Sequence, residues 1–214
     1  MIEFCEPFPH LKAGRQSPLG IDGDFELYVG GREPKGVYGI PGDEPTLVLG
    51  PGISAPLDPM TRSALAREVF ALRRGISSVR SRDDGTIASI VVAACQEAKV
   101  PVQQPPLAVF AEVSRGIHKE IPRRVRNAIG DVCQRVVSSG ADSKAWAAAA
   151  RRSLDRMAAI GAGDASLVVA DLLGVERSRL GGGAAESERA RRLLSFVLSP
   201  QYLQIRSKLG MGVR

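Results

Sequence analysis

The chain has 214 residues, of which 44% are hydrophobic and 24% are charged, close to the usage of ordinary globular proteins. This composition excludes wholesale disorder and suits one large domain, or one domain with an attached helical part. The net charge of +6 permits attraction to nucleic acid or anionic lipid, but the basic residues are spread along several segments without a long run.

The cysteines and the apolar segments predict the compartment. Cys5, Cys95 and Cys133 show no C-x-x-C spacing, which argues against the disulfide framework of a secreted protein. No signal peptide is visible, and the longest apolar stretch, Ile87 to Ala94, is far too short to span a bilayer. We therefore expect a cytoplasmic protein without a membrane span.

The N-terminal third reads as a lead-in followed by strands. Residues 1–23 are rich in proline and glycine, and we expect them to be a linker or lead-in. Three β-like runs follow at residues 25–29, 36–40 and 46–49, and turn-forming glycines and prolines separate them. The third run is apolar throughout, which favours the most buried strand.

Residues after 58 read as helical. The first helix has Asp58 as its N-cap, Pro59 at its first position and Gly75 just after its end. Its predicted apolar stripe is Leu65, Val69 and Leu72. Further helices are expected over 86–99, from about Pro106 to a break at Ile121-Pro122, and over 123–138, 142–160, 164–174, 186–198 and 200–209. The predicted fold class is α+β, with a small N-terminal β-sheet followed by a mostly helical body.

The first helix resembles the active-site helix of zincin-type zinc proteases, which carries His-Glu-x-x-His. In this chain the two ligand positions are Arg67 and Ala71, and only the glutamate, Glu68, remains. Arginine is a permanent cation and alanine has no donor atom, so neither binds zinc. A general base without a metal-bound water has nothing to act on. The resemblance thus implies a zincin-like fold that has lost its metal.

A later helix carries a second resemblance. Residues 153–159 are similar to the Glu-Ala-Asp-Arg-x-Ala motif of HtpX-type zinc metallopeptidases, where the glutamate is the third zinc ligand. Ser153 stands at that glutamate's position, while Asp155 and Arg156 match the motif. The resemblance implies a degenerate gluzincin with a supporting role for Asp155 and Arg156 and with no cofactor.

A third resemblance is to the C-terminal domain of bacterial tetratricopeptide-repeat proteins of the myxobacterial type. The matching segments are Leu47-Val48-Leu49-Gly50, residues 66–69, 73–75 and 155–159, Gly163-Asp164 and the tail 199–210. The repeats themselves are absent from this sequence. The corresponding domain boundaries are a lead-in over 1–23, a degenerate zincin-like domain over 24–176, and a C-terminal helical pair over 177–214 that packs on it.

Plainer interpretations stand beside these motifs. The first helix is equally explained as an amphipathic helix whose Ser63, Arg67 and Arg74 face is solvated. Asp155 and Arg156 then form either a surface pair or a structural ion pair.

Two other site types were weighed. His10 and His118, with three unclustered cysteines, make a poor metal set. The basic residues are the best nucleic-acid candidate, although they lack interleaved aromatics and a solvated face explains them better. They are Arg115, Lys119, Arg123, Arg124 and Arg126, with His118 among them.

These patterns together predict a non-catalytic, pseudo-metallopeptidase-like domain that acts in protein association or scaffolding. Its partner is an unknown protein or a peptide, which the former cleft could hold with Arg67 and Glu68 at its base. A basic nucleic-acid-binding module and a hydrolase with a non-standard metal site remain as alternatives.

Overall fold

The computed structural model describes residues 6–7, 25–102, 109–181 and 186–211. Within them a small β-sheet precedes a mostly helical body, so the predicted α+β class is confirmed. Most of the predicted lead-in, the helix start near Pro106 and the glycines at 182–183 lie outside the described residues.

The sheet forms where the sequence alternates short apolar runs with turn residues. Its strands are β1 Glu6–Pro7, β2 Glu26–Val29, β3 Val37–Ile40 and β4 Thr46–Leu49. The strand order is β1-β2-β4-β3, with β2 parallel to β4 and the other pairs antiparallel. Leu47 and Val48 of β4 are both buried although they point to opposite faces, so this strand is covered on both sides, as its apolar run predicts.

The helices follow in chain order. They are α1 Pro59–Arg74, α2 Ser77–Ser81, α3 Asp84–Glu97, α4 Phe110–Glu120, α5 Arg123–Ala128, α6 Gly130–Ser138, α7 Ser143–Ala162, α8 Ala165–Leu173, α9 Glu188–Val197 and α10 Pro200–Lys208, with a 3-10 turn at Arg177–Arg179. The predicted caps of α1 are confirmed, because Asp58 accepts the backbone N–H of Thr61 at 2.9 Å and Gly75 is left-handed at φ 62°. Two details differ from the prediction: α2 was missed, and residues 123–138 form two helices rather than one.

The chain divides into two compact units, each described here by itself. The first contains residues 1–77 and 152–214, and the second contains residues 78–151. Helix α7 contributes residues to both units. The domain boundaries at residues 24 and 177 stay predictions.

Small residues build the core of the first unit. Ala158, Ala159 and Ala162 of α7 are fully or almost fully buried, and they share a cluster with Val168 of α8. A Cβ atom added at Gly161 would lie 2.6 Å from the Cβ atom of Ala66 in α1. A chain with only 5% aromatic residues thus fills its interior by bringing helix backbones close together.

Helix α1 is covered on more sides than its apolar stripe predicts. Leu65, Val69 and Leu72 are only half-buried, whereas Ser63, expected on a solvated face, is 2% exposed. That expectation was wrong because α1 packs against β3 on one side and meets α8 and Gly161 with its small residues. A close approach of two helices buries small polar residues that a periodicity argument assigns to solvent.

Two arginines close the C-terminal end of α7. Arg62 donates to the carbonyl oxygens of Gly161 at 3.3 Å and Ala162 at 3.0 Å. Arg206 of α10 donates to the carbonyl oxygen of Gly163 at 2.7 Å. The last carbonyl groups of a helix have no partner within it and carry partial negative charge, so guanidinium groups stabilise this end.

The second unit is helical. Helix α3 packs against α4 and α6, and Val92, Ala93 and Phe110 form its apolar cluster. Cys95 and Cys133 are buried free thiols, which pack as small hydrophobic side chains.

Candidate functional site

The candidate base, Glu68, lies on α1 under the sheet. Glu68 is only 3% exposed, and its carboxylate accepts a hydrogen bond from the backbone N–H of Gly39 in β3 at 3.0 Å. A Cβ atom at Gly39 would lie 2.9 Å from the same carboxylate oxygen. Glycine at position 39 therefore permits a glutamate that joins α1 to the edge of the sheet.

The two candidate ligand positions on α1 are occupied in other ways. Arg67 is half-buried, and its Nη2 atom lies 3.5 Å from a carboxylate oxygen of Asp171 in α8. Its Nε atom is buried without a hydrogen-bond partner in the described part of the chain. Ala71 is fully buried and provides no donor atom.

The two matching residues of the second motif, Asp155 and Arg156 on α7, contact different partners. Asp155 has a side chain that is 3% exposed, and both of its oxygens accept from Arg189 of α9, each at 2.6 Å. Arg156 instead lies over the ring of Phe196, with its guanidinium carbon 5.0 Å from the ring centroid. Asp155 therefore forms a structural ion pair, but its partner is Arg189 rather than Arg156. Ser153 is half-buried on the same helix.

Asp155, Arg156 and Arg189 border an open pocket of about 190 Å³ between α7 and α9. We call it the arginine pocket. Its lining residues are Arg152, Asp155, Arg156, Arg189, Arg192 and Leu193. The site is basic because four of these six side chains carry guanidinium groups and only one carries a carboxylate.

The cations of the arginine pocket differ in their partners. Arg189 is held by Asp155, and Arg192 is paired with Glu188 one turn earlier on α9, at 2.6 Å. The hydrogen bond from Arg192, followed by its charge, holds the pKa of Glu188 below its usual value. Neither Arg152 nor Arg156 forms an ion pair with a carboxylate among the residues that the structure describes.

Sequence reasoning did not single out Arg152, Arg189 and Arg192. A signal was present, since Arg152 and Arg156 are spaced i, i+4 on one helix and Arg189 and Arg192 are spaced i, i+3 on another. Such spacing places each pair on one helix face. Nothing local, however, indicates that the two faces meet.

The basic residues of the second unit fall into two groups. Arg126 is half-buried, lies 3.4 Å from a carboxylate oxygen of Glu97, and donates to the carbonyl oxygens of Ile121 and His118 at 3.0 and 3.3 Å. The imidazole Nδ1 of His118 lies 2.8 Å from the same carboxylate. The remaining candidates are exposed on α4 and α5: Arg115, Lys119, Arg123 and Arg124. Arg126 thus has a structural role, which separates it from the other four.

Two further features concern the binding of a metal ion and the crossing of a membrane. In residues 25–102, 109–181 and 186–211, no three side chains among histidine, cysteine, aspartate and glutamate are grouped so that they could hold a metal ion. No helix in this part of the chain combines the length and the apolar character that a membrane crossing requires.

Comparison of the chain with protein-family models, with curated proteins and with solved structures found no match. The resemblances to zinc metallopeptidases and to tetratricopeptide-repeat proteins therefore stay predictions from motif residues. The function has to be argued from the contacts described above.

Proposed function

We propose that this chain is a non-catalytic, pseudo-metallopeptidase-like domain that associates with a protein or peptide partner. The observation that carries the proposal is the position of Glu68. This residue is buried and accepts a hydrogen bond from the sheet backbone, so its contacts serve the fold. A general base needs access to a water molecule and to substrate, which such a position does not provide.

The former ligand positions support the same conclusion. A catalytic zinc site needs three protein side chains with donor atoms and one open coordination position. Arg67 is a cation beside Asp171, Ala71 is fully buried and has no donor atom, and Ser153 has a hydroxyl group where the related motif has a carboxylate. None of these three side chains is a usual zinc ligand.

Exposed apolar side chains on the last helices support association. Leu198, just after the end of α9, is 83% exposed, and Leu203 of α10 is 55% exposed. Leu193, Phe196 and Tyr202 fill the core instead. The first unit therefore combines exposed leucines with an arginine-lined pocket, and arginine is enriched in protein interfaces.

Elemental analysis of the purified protein, beside the variant Glu68→Gln, tests the non-catalytic assignment. We expect less than stoichiometric zinc in both proteins and no peptidase activity in either. One zinc per chain, with peptidase activity lost in the variant, would overturn the proposal and favour the hydrolase alternative. Glu112→Gln, which changes an exposed glutamate in α4, is the matched control.

A nucleic-acid-binding module is the second candidate. It rests on Lys119, Arg123 and Arg124, which are exposed and form no ion pair within the described ranges. Binding to duplex or single-stranded oligonucleotides, with an affinity that falls steeply with salt, would support it. The charge-reversed variant Lys119→Glu/Arg123→Glu/Arg124→Glu should then lose that binding.

We also propose a cytoplasmic location. Its support is the pair of buried free thiols, Cys95 and Cys133, which is typical of proteins from a reducing compartment. Fractionation of the source cells tests it, and recovery in a secreted fraction would contradict it.

A further inference from the structure

We propose that the arginine pocket binds a phosphate monoester carried by a phosphorylated side chain of the partner. The inference rests on the proposed association function and adds the chemistry of the partner. Its support is the contacts that hold the guanidinium groups, the charge of the lining and the buried position of the one aromatic ring that touches a pocket arginine in the described residues.

Arg189 is held in place by Asp155. Its Nε and Nη2 atoms both donate to the buried carboxylate, so the guanidinium plane is fixed. A guanidinium group has five N–H donors, and two of them are used here. The other three remain for an anion, and little side-chain entropy is lost when one binds.

Arg156 is oriented by a different contact. Its guanidinium group lies over the Phe196 ring, an arrangement in which the ring face attracts the cation. This contact uses none of the N–H groups of Arg156 in a bond to a carboxylate or a carbonyl oxygen within the described residues, so these donors are available for a ligand. Arg152 lies one helical turn before Arg156 on α7 and, like it, has no carboxylate partner in the described part of the chain.

The charge balance favours a dianion over a monoanion. The lining of the pocket has four guanidinium groups against the single carboxylate of Asp155, and Arg192 is in addition paired with Glu188 outside the lining. A phosphate monoester carries about −1.5 to −2 charges at neutral pH and has three strong acceptor oxygens. A carboxylate or a phosphodiester carries one negative charge and would neutralise less of the positive excess.

The residues around the arginine pocket favour a phosphorylated side chain over a nucleotide as its ligand. Nucleotide recognition in open sites commonly uses an exposed aromatic face on which the base stacks. Here the only aromatic ring in contact with a pocket arginine is that of Phe196 within the described residues, and Phe196 is buried.

Calorimetric titration of the full chain tests the inference with four probes. They are a phosphoserine heptapeptide with neutral flanking residues, the same peptide with glutamate in place of phosphoserine, inorganic phosphate, and a single-stranded DNA oligomer. We expect the phosphopeptide to bind about tenfold more tightly than the glutamate peptide, because a dianion forms more charge-assisted hydrogen bonds. The same titration with Arg152→Gln/Arg156→Gln should weaken phosphopeptide binding by about tenfold or more.

Matched controls separate the pocket from general positive charge. Arg123→Gln/Arg124→Gln removes the same net charge from exposed positions of α5 and should leave phosphopeptide affinity unchanged. Equal weakening by both double variants would overturn the inference. The pocket variant should retain the far-ultraviolet circular dichroism of the parent. Its unfolding midpoint should fall only slightly, because the substitutions remove one exposed cation–π contact, that of Arg156 with Phe196, and no ion pair in the described ranges.

The other outcomes also decide the question. Inorganic phosphate that binds as tightly as the phosphopeptide would leave an anion site without a partner and overturn the inference. Preferential binding of DNA that depends on Arg152 and Arg156 would replace it with the nucleic-acid alternative. No binding of any probe would reject it, while a protein without stoichiometric zinc would still satisfy the proposed function.

Discussion

Residues 152–162 of α7 belong to the first unit, and the arginines at the two ends of this segment make different kinds of contact. At its C-terminal end, Arg62 donates to Leu57, Gly161 and Ala162, and each of these bonds ends on a backbone carbonyl oxygen. In the arginine pocket, near residues 152–156 of the same helix, the guanidinium groups stack on a ring or pair with a carboxylate and keep several N–H donors unused. The first arrangement closes a helix end, and the second leaves a surface able to bind an anion.

The difference teaches how to separate structural from binding arginines. Arg62 is half-buried and directs three of its five N–H donors to carbonyl oxygens, so its removal leaves those carbonyl groups unpaired. A guanidinium that is oriented by one contact but retains free donors is prepared for a partner. Substitutions that break each arrangement should therefore affect different measurements.

The largest effect is expected where α7 approaches α1. In Gly161→Val, the new side chain would begin 2.6 Å from the Cβ atom of Ala66 and 2.7 Å from the carbonyl oxygen of Arg62. Both are van der Waals overlaps, so we expect the free energy of unfolding to fall by about 3 kcal/mol or more. Urea denaturation followed by circular dichroism measures it.

Gly116→Ala is the control for Gly161→Val. Gly116 lies inside α4, and a Cβ atom there meets nothing within 4 Å. Alanine should stabilise the helix by about 0.5–1 kcal/mol because glycine is the poorer helix former. Similar destabilisation by both substitutions would show that close packing at Gly161 is not the cause.

The next effect compares one arginine from each arrangement. Arg62→Gln should lower the free energy of unfolding by about 1.5–3 kcal/mol, because charge-assisted bonds to three carbonyl groups are lost. Arg152→Gln should change it by less than about 0.5 kcal/mol. Chemical denaturation of both variants under one condition gives the difference, and equal losses would remove the distinction between structural and binding arginines.

A third comparison lies within the arginine pocket. Arg189→Gln leaves the buried carboxylate of Asp155 without its two bonds, and we expect a loss of roughly 1–2 kcal/mol. Arg192→Gln removes only an exposed i, i+4 pair with Glu188, so we expect a much smaller loss. Thermal unfolding of the two variants should rank them in this order, and the reverse ranking would contradict the role assigned to Asp155.

The smallest effect concerns pH and the helix caps. The backbone N–H of Thr61, followed by its hydroxyl group, lowers the pKa of Asp58 from 3.8, and the Ser166 hydroxyl likewise lowers that of Asp164. Because the folded-state pKa values lie below the unfolded ones, these carboxylates stabilise the fold above pH 3.8. That stability is lost as the pH falls through the folded-state values.

Asp58→Asn/Asp164→Asn isolates this contribution. Asparagine caps a helix about as well as aspartate, so stability at neutral pH should change little. Between about pH 5 and pH 2 the double variant should lose less stability than the parent. Urea denaturation across that range measures the slope, and identical slopes would contradict the cap assignment.

The sequence alone predicted those parts of the fold that have local causes. The caps of α1 at Asp58 and Gly75, the break at Pro122 and the strands β2 to β4 follow from residues within a few positions of one another. The missed helix α2 has only five residues, and the split at Ile129 stands beside Gly130, a glycine inside a helical pattern. The glycine is a local signal that the prediction of a single helix over 123–138 did not use.

The candidate site was predicted less well, because its contacts join distant residues. Asp155 was expected to pair with Arg156, yet its partner is Arg189, which is 34 positions away, and Arg156 contacts an aromatic ring. Glu68 is separated by 29 positions from Gly39, whose backbone N–H donates to its carboxylate. Motif spacing identifies residue types, but it does not identify partners that lie this far apart in the sequence.

The sequence by itself determined the α+β class, most element boundaries and the residue types at positions 67, 71 and 153, which are not usual zinc ligands. Capping, turn chemistry and the donor atoms of a side chain are properties of short segments. Only the tertiary structure decided that Glu68 is buried, that Ser63 is covered and that arginines from α7 and α9 share a pocket. Those outcomes depend on which helix faces meet, and that choice minimises exposed apolar area and unpaired polar groups over a whole unit of the fold.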